Sequence, residues 1–207
     1  MKAQTKTTQD SLTPNDALRM LKEGNHRFVN NHRTNKNLLQ MVNDTRDGQW
    51  PFAVVLSCID SRTSAELVFD QGLGDIFSAR VAGNVVNEDI LGSMEYAVKY
   101  AGSKLVLVLG HTKCGAVTSA CKKVNDGNIT ALLHKIKPAI ERAEKEATVS
   151  ADTQEFVEKV ATFNVFEAME EIRERSQIIR EMENEGKIIV AGAVYDVETG
   201  VVNFFDN

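Results

Sequence analysis

Short apolar runs alternate along this chain with longer segments in which apolar residues recur every three or four positions. The short runs have the length of buried strands, and the recurring pattern is typical of helices with one apolar face. Strands are predicted at residues 52–56, 75–80, 104–109, 187–194 and 201–205. Strands that alternate with helices form a parallel sheet, and the last strand can return as a hairpin. We therefore predict an α/β fold: a single domain whose mainly parallel central sheet, four parallel strands plus an antiparallel C-terminal edge strand, is flanked by helices.

A helical arm is predicted to precede this core. Residues 1–12 are polar, and we expect them to be disordered. Thr13-Pro14-Asn15-Asp16 then combines a hydroxyl cap, a proline in the first turn and an acid near the positive end of a helix. A second short helix fits residues 35–47. The domain accordingly spans residues 13–207, with the N-terminal helical arm at 13–47 and the α/β core at 48–207.

Helix signals also lie between the predicted strands. Thr63-Ser64-Ala65-Glu66 fits a capping box, and Asn87 can cap the next helix. A long charged region over residues 129–175 is predicted to be helical, with breaks near Pro138 and around Ser150.

Composition narrows the class of protein. Hydrophobic residues make up 43% and charged residues 26% of the 207 positions, which is ordinary for a soluble globular domain. The net charge of −5 argues against nucleic acid as a partner, because no basic surplus is present to neutralise phosphates. No apolar run approaches the ~20 residues of a membrane-spanning helix, and the N-terminus lacks the apolar centre of a signal peptide. We expect a cytoplasmic protein that binds neither nucleic acid nor membrane.

Three cysteines are too few for a disulfide framework and point to metal binding, catalysis or core packing. Cys121 lies inside a helical pattern and is predicted to pack in the core. Cys58 directly follows the first strand, and His111 and Cys114 follow the third. Sites in parallel sheets form beyond the carboxyl ends of strands where the strand order reverses. We therefore predict that these two strand ends meet.

Two thiols and one imidazole are a zinc-type ligand set, and three protein ligands leave a fourth position open, as in catalytic zinc sites. We predict one Zn²⁺ per chain, bound by Cys58, His111 and Cys114. Asp60 is placed to accept a hydrogen bond from a metal-bound water. Arg62 is placed to keep that carboxylate ionised and off the metal.

Two further points concern the same loops. Gly115 opens a helix directly after Cys114, where its backbone N–H can face an anion or oxyanion. An alternative chemistry stays open at this point, in which Cys58 is a nucleophile and His111 its base. The phosphatase pattern Cys-x5-Arg is not met, because Arg62 stands four residues after Cys58.

These residues resemble the β-class carbonic anhydrases. The Cys-x-Asp-x-Arg motif of that family is present as Cys58-Ile59-Asp60-Ser61-Arg62, and its His-x-x-Cys motif as His111-Thr112-Lys113-Cys114. Residues 74–84 are similar to the segment between the two motifs, and the similarity extends over residues 49–196. Ile59 replaces a commoner serine, to which no chemistry is assigned.

The resemblance implies reversible hydration of CO2 to bicarbonate and a proton, by attack of zinc-bound hydroxide on the carbon. It implies the metal ligands named above and the same roles for Asp60 and Arg62. Four positions match the CO2 pocket of the plant-like branch of the family: Gln49, Phe77, Ala82 and Tyr96. The amide of the glutamine would be the donor of a mostly apolar pocket.

A second branch of the family closes its zinc site when bicarbonate binds nearby, and it uses a tryptophan three residues before the first ligand. This chain has Val55 at that position, although Arg80 matches the arginine of the same bicarbonate site. The resemblance therefore implies the open, plant-like state at neutral pH. It also implies a homodimer, or a tetramer of two such dimers, with the helix from Thr13 to Val29 packed across the partner.

Two other functions are compatible with these residues. A related zinc hydrolase acting on CS2 or COS would use the same attack on carbon. A zinc-bearing binding subunit would have no turnover at all. The Asp60–Arg62 pair argues against the binding subunit, because a structural zinc does not need such a pair.

Overall fold

The structure, a computed structural model, describes residues 2–146 and 153–205. Within them, five strands form one sheet: β1 (Ala53–Ser57), β2 (Ile76–Arg80), β3 (Leu105–His111), β4 (Ile189–Tyr195) and β5 (Val202–Phe204). The strand order is β2-β1-β3-β4-β5, with β1 to β4 parallel and β5 antiparallel to β4. The predicted α/β fold with an antiparallel C-terminal edge strand is confirmed.

Helices cover both faces of the sheet. In chain order they are α1 (Lys6–Ser11), α2 (Pro14–Val29), α3 (Leu38–Thr45), α4 (Ala65–Val68), α5 (Glu88–Glu95), α6 (Gly115–Cys121), α7 (Ile129–His134), α8 (Lys137–Glu146), α9 (Gln154–Arg175) and α10 (Gln177–Asn184). A 3-10 turn at Ala82–Asn84 and a π-helical turn at Tyr96–Tyr100 lie between β2 and β3. In the described part of the chain, no helix has both the length and the apolar character needed to cross a bilayer.

The central strands are enclosed on both sides. β1 and β3 are buried along their whole length, which explains why each reads as a continuous apolar run. Successive side chains of β1 point to opposite layers. Val55 packs in the layer that contains Leu21 of α2, and Leu56 packs in the layer that contains Ile172 of α9. The two strands therefore form a rigid base for the loops at their ends.

The strand order reverses between β1 and β3, as predicted. β2 lies on one side of β1, and β3 lies on the other. Ser57 and Leu109 are register partners near the carboxyl ends of these strands. The loop that begins at Cys58 and the residues that follow Leu109 consequently leave the sheet side by side, at the place where α/β proteins form their sites.

The N-terminal segment differs from the expected disorder. Helix α1 begins with a capping box between Thr5 and Thr8. Its buried Gln9 donates from Nε2 to the backbone oxygens of Pro51 at 2.8 Å and Ala101 at 2.7 Å. These partners lie far along the chain, so the polar composition of residues 1–12 carries no sign of them.

Several predicted helix boundaries match the structure. Thr13 and Asp16 form the capping box at the start of α2, and the side chain of Asn87 caps α5. The long helical region is interrupted just before Pro138, between α7 and α8. The break predicted around Ser150 lies outside the described residues.

The capping box predicted at Thr63 is wrong. Helix α4 is only one turn long, and Ser64 occupies its N-cap without a side-chain capping bond. The hydroxyl of Thr63 instead donates to the backbone oxygens of Cys58 and Asp60. Threonine can bond to either kind of backbone group, and here the carbonyls of the preceding loop have taken the place of the helix N–H groups.

Candidate metal centre

Three side chains from the two adjacent strand ends converge: Cys58, His111 and Cys114. Their donor atoms all lie within 4.8 Å of one another, and the two sulfurs are 4.0 Å apart. The three residues are buried, with 4%, 1% and 1% of their surface exposed. The structure therefore brings together the ligand set that the sequence predicts.

The ring of His111 is oriented by a neighbouring carbonyl. Nδ1 lies 2.8 Å from the backbone oxygen of Thr112, which can only accept, so Nδ1 carries the proton. Nε2 then keeps a lone pair, and this buried atom has no hydrogen-bond partner among the described residues. An imidazole that is fixed through one nitrogen and unpaired at the other is the arrangement of a metal ligand.

The two thiols differ in acidity. The hydrogen bond with Cys114 lowers the pKa of Cys58 to about 4 against the opposing effect of burial, and the Gly83 N–H adds to the lowering. The same hydrogen bond and burial raise the pKa of Cys114. The metal-free pair thus holds one negative charge readily, and binding of a cation releases the second proton.

This donor set fits a zinc ion. Thiolate sulfur and imidazole nitrogen are ligands that zinc prefers, whereas Mg²⁺ and Ca²⁺ take oxygen ligands. No carboxylate joins the cluster within the described ranges. Three protein donors leave a tetrahedral ion one position for water or substrate, which is the pattern of a catalytic zinc site.

Beside the cluster, Asp60 is bound to Arg62 through both carboxylate oxygens. Oδ1 accepts from the backbone N–H and from Nε of Arg62, each at 2.9 Å, and Oδ2 accepts from Nη2 at 2.7 Å. The Arg62 guanidinium is the main reason why the pKa of Asp60 lies well below its usual range. Asp60 is therefore ionised at any physiological pH.

The backbone of this loop is held at two carbonyls. Arg80, at the end of β2, donates from Nε to the Cys58 oxygen at 3.0 Å and from Nη2 to the Asp60 oxygen at 2.6 Å. The Thr63 hydroxyl contacts the same two oxygens at 3.2 Å and 2.9 Å. The arginine that matches a bicarbonate site in one branch of the resembled family thus binds the ligand loop itself.

The loop after β3 has separate supports. Lys113 has a left-handed backbone with φ +55, and its N–H donates to Glu158 of α9 at 2.9 Å. This turn leads directly into α6. The N–H groups of Ala116 and Val117 in the first turn of that helix favour the ionised form of Cys114.

The five residues predicted to bind substrate do not form one group in the described chain. Phe77 and Tyr96 make an edge-to-face ring contact, with centroids 6.4 Å apart, along a groove of about 760 Å³. Ala82 and Gly115 lie next to the metal ligands: Ala82 immediately precedes Gly83, whose N–H contacts Cys58, and Gly115 directly follows Cys114. Gln49 is exposed, and no hydrogen bond or ring contact joins it to the metal ligands in residues 2–146 and 153–205. The anion site at Gly115 stays a prediction.

Two residues near the site were not anticipated. The N–H of Gly83 donates to the sulfur of Cys58 at 3.3 Å, and Asn164 of α9 donates to the Gly83 carbonyl at 2.7 Å. The available signal for Asn164 is one polar residue between the buried Phe163 and Val165. That signal indicates a buried amide, but it does not identify a partner 81 positions earlier in the chain.

Comparison with known proteins places this geometry in a family context. A family model described as carbonic anhydrase matches residues 53–202, which include the three donors and the Asp60–Arg62 pair. The chain is 35% identical over 195 residues to carbonic anhydrase 2 of Mycobacterium tuberculosis, covering 90% of each chain. It is similar to a solved β-carbonic anhydrase of Aspergillus fumigatus, with 27% identity, a TM-score of 0.73 and coverage of 93% of this chain and 90% of that one. A tetrameric β-carbonic anhydrase of Sordaria macrospora has the same fold, with 24% identity, a TM-score of 0.75 and coverage of 82% and 87%.

Proposed function

The chain belongs to the β-class of carbonic anhydrases, and we propose that it catalyses the reversible hydration of CO2 to bicarbonate and a proton. We assign one zinc ion per chain to Cys58, His111 and Cys114. The observation that carries the proposal is the buried convergence of two thiols and an imidazole nitrogen with an unpaired lone pair. The ionised Asp60 beside them, held by Arg62, is what a reaction needs and a structural zinc does not.

When bound, zinc supplies a Lewis acid that lowers the pKa of a coordinated water toward neutrality. Two thiolates and a neutral imidazole cancel the formal charge of the ion. We therefore expect less acidification than three neutral ligands would allow. A hydrogen-bond acceptor from the protein becomes useful in such a site, and the chain offers the carboxylate of Asp60.

In the proposed reaction, Asp60 accepts a hydrogen bond from the reacting water and so directs its oxygen toward CO2. Arg62 engages both carboxylate oxygens, which keeps Asp60 charged and away from the metal position. Val55, at the position of the tryptophan in the closing branch, is fully buried in the core beneath the loop. We propose on these grounds that the site is in its open state at neutral pH.

We propose that a homodimer completes the substrate pocket. Gln49, Phe77, Ala82 and Tyr96 are assigned to CO2 by the family resemblance, yet within one chain Phe77 and Tyr96 line a groove separate from the metal ligands. Tyr96 and Tyr100 stack on each other while 56% and 72% exposed. Exposed aromatic surface of this kind is typical of an interface, and a partner chain could bring its own copies to this zinc.

The oligomer is tested by light scattering on the purified protein. We expect the mass of two chains, or of four if two dimers pair. A stable monomer that hydrates CO2 at the full rate would contradict the shared pocket.

Zinc content and CO2 hydration, measured on the same sample, test the main proposal. We expect one zinc per chain and rapid hydration in a stopped-flow indicator assay. His111→Ala is expected to lose zinc and hydration together, because it removes the donor Nε2. The matched control is His134→Ala, an exposed histidine of α7, which should keep both. Full zinc loading without hydration would contradict the proposal and favour CS2 or COS hydrolysis or a binding role.

The cytoplasmic location and the lack of a nucleic-acid partner belong to the same proposal and rest on the sequence. Cell fractionation, with zinc-dependent hydration followed in each fraction, checks the location. The net charge of −5 supports the second point, since non-specific binding to phosphates needs a basic surface.

A further inference from the structure

Asn164 is a buried amide in the apolar part of α9. Only 3% of its surface is exposed, and its helix neighbours Val160, Ala161 and Val165 are buried too. Burying an amide is unfavourable unless the group is hydrogen-bonded. An apolar side chain would pack in this place without that requirement, so core packing alone does not account for the amide.

The hydrogen-bond partner of this amide, Gly83, in turn contacts the predicted metal ligand Cys58. Asn164 donates from Nδ2 to the carbonyl oxygen of Gly83 at 2.7 Å, in a fully buried hydrogen bond. Gly83 donates its own N–H to Sγ of Cys58 at 3.3 Å, which is also a buried contact. The carbonyl oxygen of Gly83 is thus bound by α9, and its N–H group faces the sulfur of Cys58.

The turn that carries Gly83 is left-handed and closely packed. Gly83 and the following Asn84 both have left-handed backbones, with φ +68 and φ +43. Glycine and asparagine are the residues that adopt this conformation most readily, so the turn is built from residues suited to it. A Cβ on Gly83 would lie 3.0 Å from Ile136 and 3.3 Å from Ala116, which leaves the turn little room to move. In this turn the carbonyl of Gly83 contacts α9 while its N–H points at the sulfur.

We propose that Asn164 is a positioning residue of the metal centre, which acts through Gly83 to fix a hydrogen bond on the thiolate of Cys58. The inference rests on the proposed function, because it takes Cys58 as a metal ligand. An N–H donated to a coordinating thiolate stabilises its charge, fixes the direction of the sulfur and reduces its donation to the metal. Asn164 itself touches neither the metal position nor the substrate.

The test uses Asn164→Leu and Asn164→Asp, which keep the approximate size. Leucine removes the donor outright, and aspartate removes it when the pH is high enough to ionise the carboxyl group. In cobalt-loaded protein, loss of the N–H contact is expected to move the sulfur-to-cobalt charge-transfer band to longer wavelength. Zinc affinity, measured by competition with a chromophoric chelator, is expected to fall ~10- to 100-fold, as for other outer-shell partners of metal ligands. Unchanged band position and affinity in both variants would overturn the proposal.

The matched control is Asn25, another buried amide that donates to backbone oxygens, those of Val68 and Gly200. Asn25→Leu and Asn25→Asp are expected to lower the melting temperature and to leave the cobalt spectrum and zinc affinity unchanged. An equal spectral shift in the Asn25 variants would mean that general destabilisation is the cause, and would overturn the proposal. Failure of the wild-type protein to bind zinc or cobalt would instead refute the proposed function.

A measurement on the wild-type protein covers the case in which the Asn164 variants do not fold. NMR of protein loaded with an NMR-active cadmium isotope is expected to show coupling between the metal and the amide proton of Gly83, through the N–H···S contact. Cadmium bound by Cys58 without any such coupling would contradict the proposal.

Discussion

Asp60 and Asp70 are both paired with arginine, yet they lie in opposite environments. The side chain of Asp60 is 17% exposed and that of its partner Arg62 is 49% exposed, beside the metal ligands. The side chain of Asp70 is 1% exposed and is bound by Arg27 at 2.7 Å and by Lys36. One centre is open to water at the end of a strand, and the other is enclosed beneath the N-terminal arm.

The Asp70 centre ties the arm to the core. Besides Arg27 of α2 and Lys36, the N–H and hydroxyl of Thr34 donate to this carboxylate, at 3.1 Å and 3.0 Å. All three partners belong to the segment that runs from α2 to the start of α3, whereas Asp70 follows α4. A buried charge is tolerated when it is paired and hydrogen-bonded in this way.

Burial decides what each pair is expected to contribute. An ion pair that is partly in water adds little to stability, so the Asp60–Arg62 pair contributes little to the free energy of unfolding. We therefore assign this pair a role in the reaction. Removing a partner from a buried pair leaves an uncompensated charge, so the Asp70 pairs matter for folding. The comparison predicts a clean separation: Asp60 variants change the rate, and Asp70 variants change stability.

The largest effect is expected for Asp60→Asn. The amide keeps the shape of the carboxylate but is a poor acceptor and no longer pairs with Arg62. The rate of CO2 hydration is therefore expected to fall ~10²- to 10⁴-fold, a loss comparable to that of a positioned acid–base group. Zinc content and melting temperature are expected to stay at wild-type values. A wild-type rate in the stopped-flow assay would contradict the role of Asp60 in the reaction. Loss of zinc would contradict the expectation that Asp60 variants change the rate alone.

Asp70→Asn is the mirror experiment. Replacing the buried carboxylate leaves the charges of Arg27 and Lys36 without a partner, so the free energy of unfolding is expected to fall by about 3 kcal/mol. Urea unfolding monitored by fluorescence measures the change, with Asp60→Asn as the control at an exposed pair. The hydration rate per zinc-loaded chain should be unchanged. A large loss of hydration rate with unchanged stability would mean that Asp70 acts in the reaction, which contradicts the expectation that it serves folding alone.

The pH dependence of stability provides a further test of the role of Asp70. Burial acts to raise the pKa of Asp70, but hydrogen bonds from Arg27, Lys36 and Thr34 outweigh it and hold that pKa at about 2, below the 3.8 of the free side chain. A depressed folded-state pKa stabilises the protein fully above the unfolded value, by about 2 kcal/mol, and this stabilisation is lost as the pH falls from about 4 toward 2. The difference in unfolding free energy between wild type and Asp70→Asn should shrink over that window. Other carboxylates contribute equally to both proteins and drop out of this difference. A difference in unfolding free energy that does not change with pH would contradict the low pKa assigned to Asp70.

The same comparison explains how far sequence alone reaches. The strands and the convergence of Cys58, His111 and Cys114 follow from local apolar runs and from a general rule about strand ends. The Asp70 centre and the anchor at Asn164 have no local signature, because their partners lie in other elements of the fold. Helix α1 was missed for the same reason. Short-range patterns identify groups that must face a site, but partners brought together only by packing are invisible before the fold is known.

The smallest effect is expected for Arg62→Lys. Lysine keeps the positive charge, and the backbone N–H of residue 62 still donates to Oδ1 of Asp60, but the two-pronged contact through Nε and Nη2 is lost. We expect the hydration rate to fall roughly tenfold, because the carboxylate stays ionised while its orientation becomes looser. The matched change at the other centre is Arg27→Lys, where one side-chain bond is replaced by one, so unfolding should change by less than about 1 kcal/mol. If Arg62→Lys hydrates CO2 at the wild-type rate, charge alone suffices at Asp60. The paired contact of Nε and Nη2 of Arg62 with Asp60 would then not be needed for the reaction. In that case Asp60 and Asp70 would differ only in burial.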